Sequence, residues 1–353
     1  MLMKILVINP GSTSTKIAVY DDENIMFKVS LDHSVEELKK YETIGDQYPM
    51  RMKLVTEALE SNNLKLEDLD CIVGRGGPVA PLQSGAYEVN KALCDKLLNN
   101  PMAQHASNLA GVIAYHIGQD LGIPAYIYDS VATDELREIA RITGLKEVRR
   151  SAMAHALNMR ANALKYAKSQ GVSLIDVKYV IVHLGGGITL SVFDGGKMVD
   201  MVSDDEGAFS PERSGGLPLR KFLRLSTEMD EETMLKKLRS QGGLNSHLGT
   251  TDVREVEARI SEGDEYAKLV LDAMIYNVAK AVGALSTVVE GKVDAIILTG
   301  GIAFSEKVTK ALTKRIEFIA PVVVVPGENE LEALAFGGLR VMRGQEQAHV
   351  FED

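Results

Sequence analysis

Two stretches of this 353-residue chain, 224 positions apart (294 − 70), carry one pattern without a gap. Leu69-Asp70-Cys71-Ile72-Val73-Gly74-Arg75-Gly76-Gly77 matches Val293-Asp294-Ala295-Ile296-Ile297-Leu298-Thr299-Gly300-Gly301. Pro124-Ala125-Tyr126-Ile127-Tyr128 likewise resembles Pro321-Val322-Val323-Val324-Val325. Two Gly-containing turns, one near Gly11 and one at 185–187, each lead into a strand ending Val-aromatic-Asp: Val19-Tyr20-Asp21 and Val192-Phe193-Asp194. "Apolar run, then Gly-Gly" is common, but three matched features in one order indicate two similar αβ lobes. The length also calls for two domains. The expected division is 1–150, with a C-terminal helix 331–353 packing back on it, and 151–330. Clefts between domains are favoured ligand sites, so the ligand is expected between the lobes.

The first lobe reads as strands over Leu6–Ile8, Ile17–Tyr20 and Met26–Leu31, then a helix over Arg51–Leu59 with Leu54, Val55, Ala58 and Leu59 on one face. Cys71–Val73 is a buried strand, Ala92–Leu98 and Ala106–Leu121 are helices, and the strand Ala125–Tyr128 stops at Asp129. The second lobe repeats the order with strands at Tyr179–Val182, Leu190–Phe193, Val199–Val202 and Ala295–Leu298. Val322–Val325 is the last expected strand and Leu331–Met342 the last helix.

The formal net charge of −10 gives the chain no general attraction for nucleic acid or an anionic membrane. An anionic substrate therefore needs a local cluster of Arg, Lys and backbone N–H groups. Cys71 and Cys94 form no CxxC pair, which reads as two reduced, buried thiols in a reducing compartment. The apolar run Ile5–Ile8 is too short for a signal-peptide core, and no stretch reads as long enough to span a bilayer, so the expected location is the cytoplasm.

Asn9-Pro10-Gly11-Ser12-Thr13-Ser14-Thr15-Lys16 places four hydroxyls and a Lys around a tight turn, chemistry suited to phosphate. It lacks the GxxxxGK[ST] spacing of a Walker loop, and taken alone it is equally a plain hairpin. His183-Leu184-Gly185-Gly186-Gly187 is the matching turn; a plain hairpin needs only one or two glycines, whereas three suit backbone laid against a polyphosphate. Thr299-Gly300-Gly301 leads from a strand toward a helix near Ser305, a place for adenosine or phosphate.

Together these motifs resemble the acetate and sugar kinase, heat-shock-protein 70 and actin superfamily. Val7 to Lys16 resembles the signature of the acetate and butyrate kinases, the acetokinase family. Asp205-Glu206-Gly207-Ala208-Phe209-Ser210-Pro211-Glu212-Arg213-Ser214-Gly215-Gly216-Leu217-Pro218 resembles the butyrate kinase branch. The likeness runs from Ile5 to Arg340. It implies an α/β fold of two similar ribonuclease-H-like lobes, the actin-like ATPase fold, with a nucleotide cleft between them and the nucleotide held by the second lobe. It also implies reversible phosphoryl transfer from ATP to butyrate, or to acetate, propionate or isobutyrate, with Mg2+ and a homo-oligomer, a dimer or higher.

Residue by residue, the resemblance sets Arg75 and Arg213 beside the carboxylate and the moving phosphoryl group, as guanidinium forks suit planar oxygens. It sets His155 on the transferring phosphoryl oxygens and His105 at the substrate. Asn9, Ser12, Ser14 and Lys16 fall in the first phosphate hairpin, and His183, Gly185, Gly186 and Gly187 in the second. Gly300, Gly301, Asp252 and Arg254 fall near the adenosine, and Asp129 and Glu330 at magnesium. Without the resemblance each His is more often a satisfied core or surface residue, and each Arg a surface ion pair. Gly186 stands where the acetate kinases carry Asn, Phe304-Ser305 replaces their Glu-Asn, and the chain is shorter than theirs. These departures favour the butyrate branch. Two other readings suit the same residues: an actin-like or chaperone-like ATPase, and a hydroxyl kinase with Asp129 as base.

Overall fold

The computed structural model describes residues 2–352 and comprises two compact units: Met1–Asp134 with Asn329–Asp353, and Glu135–Glu328. The first unit's strands are β1 (Lys4–Pro10), β2 (Ser14–Asp21), β3 (Asn24–Asp32), β4 (Cys71–Arg75), β5 (Ala86–Glu88) and β6 (Ala125–Tyr128), joined by a late strand, His349–Val350. Their order is (His349–Val350)-β5-β6-β4-β1-β2-β3, with β1, β4 and β6 parallel and β1-β2-β3 an antiparallel meander. β1 and β4 are buried almost throughout because helices cover both faces: Asn108–Leu121 on one and Glu330–Met342 on the other. A strand covered on both faces reads as an unbroken apolar run, which is why these strands stand out in the sequence. The edge strand β3 alternates instead, with Phe27, Val29 and Leu31 turned to the core.

The second unit holds β7 (Tyr179–Leu184), β8 (Ile188–Asp194), β9 (Lys197–Val202), β10 (Ala295–Gly300) and β11 (Val322–Pro326), in the order β11-β10-β7-β8-β9. Side chains of β7 divide by parity. Val180, Val182 and Leu184 join the core under the helix Glu265–Val288, while Tyr179 and Ile181 face Met159 and Ala163 of the helix Ala156–Ser169. By length and composition Glu265–Val288 is able to cross a bilayer, contrary to the expectation that no stretch is. Its Val270, Leu271, Met274, Ile275, Val278 and Val282 are buried in this core.

The strand run β6-β4-β1-β2-β3 and the run β11-β10-β7-β8-β9 have the same order and directions, so the sequence repeat is a repeat of structure. Its matched residues do matched work. Asp70 accepts the backbone N–H of Lys4 at 2.8 Å and Asp294 that of Lys178 at 2.7 Å, each closing the start of a parallel strand pair. The carbonyls of Pro124 and Pro321 accept from Ile72 and Ile296 at 3.0 and 2.9 Å. The shared Val-aromatic-Asp marks a register shift, at Val19/Tyr20 in one unit and at Val192/Phe193 in the other.

Residues 135–150 lie with the second unit, where the sequence reading has a boundary at 150. Leu136 is buried among Ile181, Phe193 and Met198, the Arg137 N–H donates to Val199 O, and Arg150 pairs with Asp200 and Glu206. The C-terminal helix stops at Met342, as the helix reading Leu331–Met342 has it, and not at 353 as the domain division has it. Gly344 turns at φ +69°, and His349–Val350 pairs in parallel with β5, so Val322–Val325 is not the last strand. Cys71 and Cys94 are buried free thiols, pushed by burial up to about 12 and about 11.

Candidate active site

In the first unit the selected residues gather at the carboxyl ends of the parallel strands, where α/β sheets present ligands. Asn9 near the end of β1 is buried; its amide donates to Glu330 Oε2 at 2.6 Å. Arg75, which ends β4, places Nη1 3.2 Å from both Glu330 oxygens and 3.4 Å from Asn9 Oδ1. Glu330 opens the last long helix, so a chain-terminal element is tied to two strand ends. Arg75 Nε is buried with no acceptor, although buried donors are ordinarily satisfied.

Asp129, just past β6, is 2% exposed and sits at φ +39°, a conformation that costs a non-glycine residue ~1–2 kcal/mol. One of its oxygens accepts the Gly85 N–H at 2.7 Å. The turn Gly76-Gly77 lies against the backbone of Ser130 and Asn108, so close that a Cβ on Gly76 would stand 2.6 Å from Ser130 Cα and one on Gly77 2.8 Å from Asn108 N. Ser12 and Lys16 are exposed and Ser14 half-buried on the hairpin.

His105 precedes the helix at Asn108, its Nδ1 2.7 Å from Ser107 Oγ. Lost hydration on its covered side, and then the charge of Arg75, hold its pKa below the usual imidazole value. Arg75→Ala removes the second cause, so the His105 pKa is expected to rise while staying below ~6.5. An NMR titration of the His105 ring checks this, and an unmoved midpoint contradicts it. The unfolded chain takes up this proton first as pH falls from ~6.5, so acidification lowers stability down to the depressed native pKa and not beyond.

In the second unit His183, near the end of β7, is 1% exposed, with Nδ1 3.0 Å from Asn158 Oδ1. Glu328 Oε1 is 3.3 Å from His183 Nε2 but off the hydrogen-bond direction, so that nitrogen is a buried atom with no hydrogen bond. His155 stacks on His183 with ring centroids 3.9 Å apart at 12°, and its Nδ1 lies 2.9 Å from Thr189 Oγ1. The two selected histidines therefore form one unit, positioned by Asn158 and Thr189. Neither support is conspicuous in the sequence: Asn158 is three residues past His155 on the next helix, and Thr189 sits on β8.

Arg213 lies over the second glycine turn. A Cβ on Gly187 would come within 2.9 Å of its Cζ, and one on Gly186 within 2.9 Å of Glu212 Oε1. The triple glycine thus has a local cause as well: the 204–216 segment packs directly upon it. That segment is tied down by Ser210 Oγ, which donates to Gly186 O at 2.5 Å and accepts the Arg213 N–H at 3.1 Å. Arg213 Nη1 pairs with Asp204, and its Nε is buried without a partner. Gly300 ends β10 at φ +91°, and Gly301 opens a 3-10 turn ahead of the helix Glu306–Ile316. Asp252 caps the helix Val253–Ser261 and pairs with the exposed Arg254 guanidinium, whose hydrogen bond holds the carboxyl down to about 2.

The acetokinase family model matches residues 147–331, just over half of the chain. The chain is 45% identical to butyrate kinase 1 of Clostridium acetobutylicum, covering 99% of this chain and 100% of that one. It is also 45% identical to the probable butyrate kinase of Bacteroides thetaiotaomicron, with the same coverage. Among solved structures, the acetate kinase of Porphyromonas gingivalis superposes with a TM-score of 0.80 at 18% identity, over 96% of this chain and 100% of that one. The fold is accordingly the two-lobed actin-like ATPase fold of the acetate kinases, and the chain belongs to the acetokinase family, alongside the butyrate kinases.

Proposed function

We propose that the chain transfers a phosphoryl group between ATP and butyrate, giving butyryl phosphate and ADP. The observation that carries this reading is the end-to-end 45% identity with butyrate kinase 1. The chemistry of the site agrees with it. A simple carboxylic acid, pKa ~4–5, is ionised at neutral pH, so the attacking oxygen needs no general base. The barrier lies in bringing an anion to an anionic phosphoryl group, which calls for fixed cations and alignment.

On this reading the Arg75 fork, held by Asn9 and Glu330, receives the carboxylate with His105, and Arg213 with His155 neutralises the transferring phosphoryl oxygens. The buried unpartnered Nε atoms of both arginines are donors that oxygen ligands would satisfy. Within the second unit Gly185 to Gly187 and His183 are assigned to nucleotide phosphates and Gly300, Gly301, Asp252 and Arg254 to the adenosine; within the first, the hairpin of Asn9, Ser12, Ser14 and Lys16 is assigned to phosphate. No group of three or more acidic, His or Cys side chains able to hold a metal occurs among the described residues. Mg2+ takes few carboxylates and fills its shell with water and phosphate oxygens, so the two acids that the resemblance assigns to it, Asp129 and Glu330, would be enough to hold it. Held there, the ion would offset phosphate charge.

The reading is tested by trapping acyl phosphate as the hydroxamate from ATP, Mg2+ and acids of increasing length. Butyrate is expected to exceed acetate, since each methylene in a fitted pocket is worth ~1–3 kcal/mol. Absence of hydroxamate with every acid would sink the reading.

A further inference from the structure

Arg51 lies on the buried face of the helix Tyr48–Ser61, in line with Val55, Ala58 and Leu59, and none of its surface reaches solvent. A buried guanidinium ordinarily sits against a carboxylate, because an unpaired internal charge is costly. Arg51 has no such partner among the described residues. It donates to Gly11 O and Ser14 O, both at 3.0 Å, to Ser12 O at 3.3 Å, to Thr15 Oγ1 at 2.9 Å and to Gln47 Oε1 at 2.9 Å. All five acceptors are neutral, and four belong to the first glycine hairpin. Burial lowers its pKa to about 10, which leaves it charged at neutral pH. The Thr15 hydroxyl, accepting from Arg51, has its own hydrogen for His33 Nε2 at 2.9 Å. His33 is held below its usual pKa by burial and then by Arg51, so the ring there is neutral and adds no second charge.

The geometry has a direct consequence for the hairpin. In a planar trans peptide the C=O and the following N–H point opposite ways. With the carbonyls of Gly11 and Ser12 drawn onto Arg51, the N–H groups of Ser12 and Thr13 face away from it. Successive N–H groups turned to one side make an anion-binding concavity, here with a full positive charge directly behind it.

We infer that Arg51 is a positioning residue for nucleotide binding: it holds the 9–16 hairpin with its N–H groups outward, and its uncompensated charge is matched only when polyphosphate oxygens settle on that hairpin. This inference rests on the reading of the chain as an ATP-dependent kinase. A guanidinium is required, because only its planar fork reaches several carbonyls at once while keeping the charge.

The test compares full-length wild type, Arg51→Lys and Arg51→Gln, measuring thermal unfolding without ligand, the Kd for ATP with Mg2+ by calorimetry, and kcat and KM for both substrates by hydroxamate formation. In Arg51→Gln the Kd and KM for ATP are expected to rise at least about tenfold, with the butyrate KM changed less than about threefold. Arg51→Lys is expected to recover part of the ATP affinity by restoring charge without the fork. Should Arg51→Gln not fold, Arg51→Lys decides alone, with an expected loss of at least about fivefold in ATP affinity. A folded Arg51→Lys with wild-type ATP affinity, or equal rises in both KM values, overturns the inference. Failure of the kinase reading looks different: wild type itself then binds no ATP and forms no hydroxamate.

Discussion

Replacing Arg213 with alanine is expected to slow acyl phosphate formation about 10²- to 10³-fold, the size of effect seen when one pre-aligned donor to a transition-state oxyanion is removed. The fold should survive, because what Arg213 gives to structure is in its backbone. Its N–H donates to Ser210 Oγ and its carbonyl accepts from the Ser210 N–H at 3.0 Å, and alanine keeps both. Among the described residues the side chain pairs only with Asp204, and it lies over Gly187. Truncation frees Asp204, whose carboxylate is partly exposed and is hydrated at small cost. The loss should therefore fall mainly on kcat, as for a contact made chiefly in the transition state, with the ATP KM nearly unchanged. Asp204→Asn is the control, since it breaks the same ion pair but leaves the guanidinium in place. If Arg213 acted only through that pair, the two variants would be equally slow; circular dichroism reports whether either has unfolded.

Much of the fold is legible in the sequence because β1, β4, β7 and β10 are buried on both faces and so read as apolar runs ending in Gly turns. The repeat adds their order, since Asp70 and Asp294 bond the same relative N–H. What escapes the sequence is set by long-range pairing. The three-residue β5 and the strand His349–Val350 are too short for any periodicity; β5 exists because β6 supplies its backbone partners, and His349–Val350 because β5 does. The cluster of Asn9, Arg75 and Glu330 joins residues far apart in the chain, so motif spacing names its members without indicating that they touch. Arg51 had a signal of another kind. It sits on the same helical face as Val55, Ala58 and Leu59, and an arginine on an apolar face must find buried acceptors. The triple glycine at 185–187 shows the reverse case: a pattern read from ligand chemistry alone also reflects the side chains of Glu212 and Arg213 packed against it.

The adjacent glycines 300 and 301 are expected to respond oppositely to alanine. Gly300 has φ +91°, and a Cβ there would lie 2.4, 2.7 and 2.8 Å from the O, C and N of Leu184. Those are backbone atoms of β7, the central strand paired with both β8 and β10, so they have no room to yield. Backbone strain and steric overlap act together, and Gly300→Ala should lose at least about 3 kcal/mol, beyond the ordinary range for a point substitution. For a unit of this size that corresponds to a Tm lower by roughly 6–12 °C. A Cβ on Gly301, by contrast, meets nothing within 4 Å, and Gly301 shows no left-handed φ. Gly301→Ala should therefore stay within about 0.5 kcal/mol of the parent. If the adenosine lies against this turn, the same variant nonetheless raises the ATP KM, because the added methyl occupies space the protein leaves open. Thermal unfolding and ATP kinetics on the two variants separate these causes. Wild-type stability in Gly300→Ala would refute the packing argument, and wild-type ATP kinetics in Gly301→Ala would remove the adenosine from this turn.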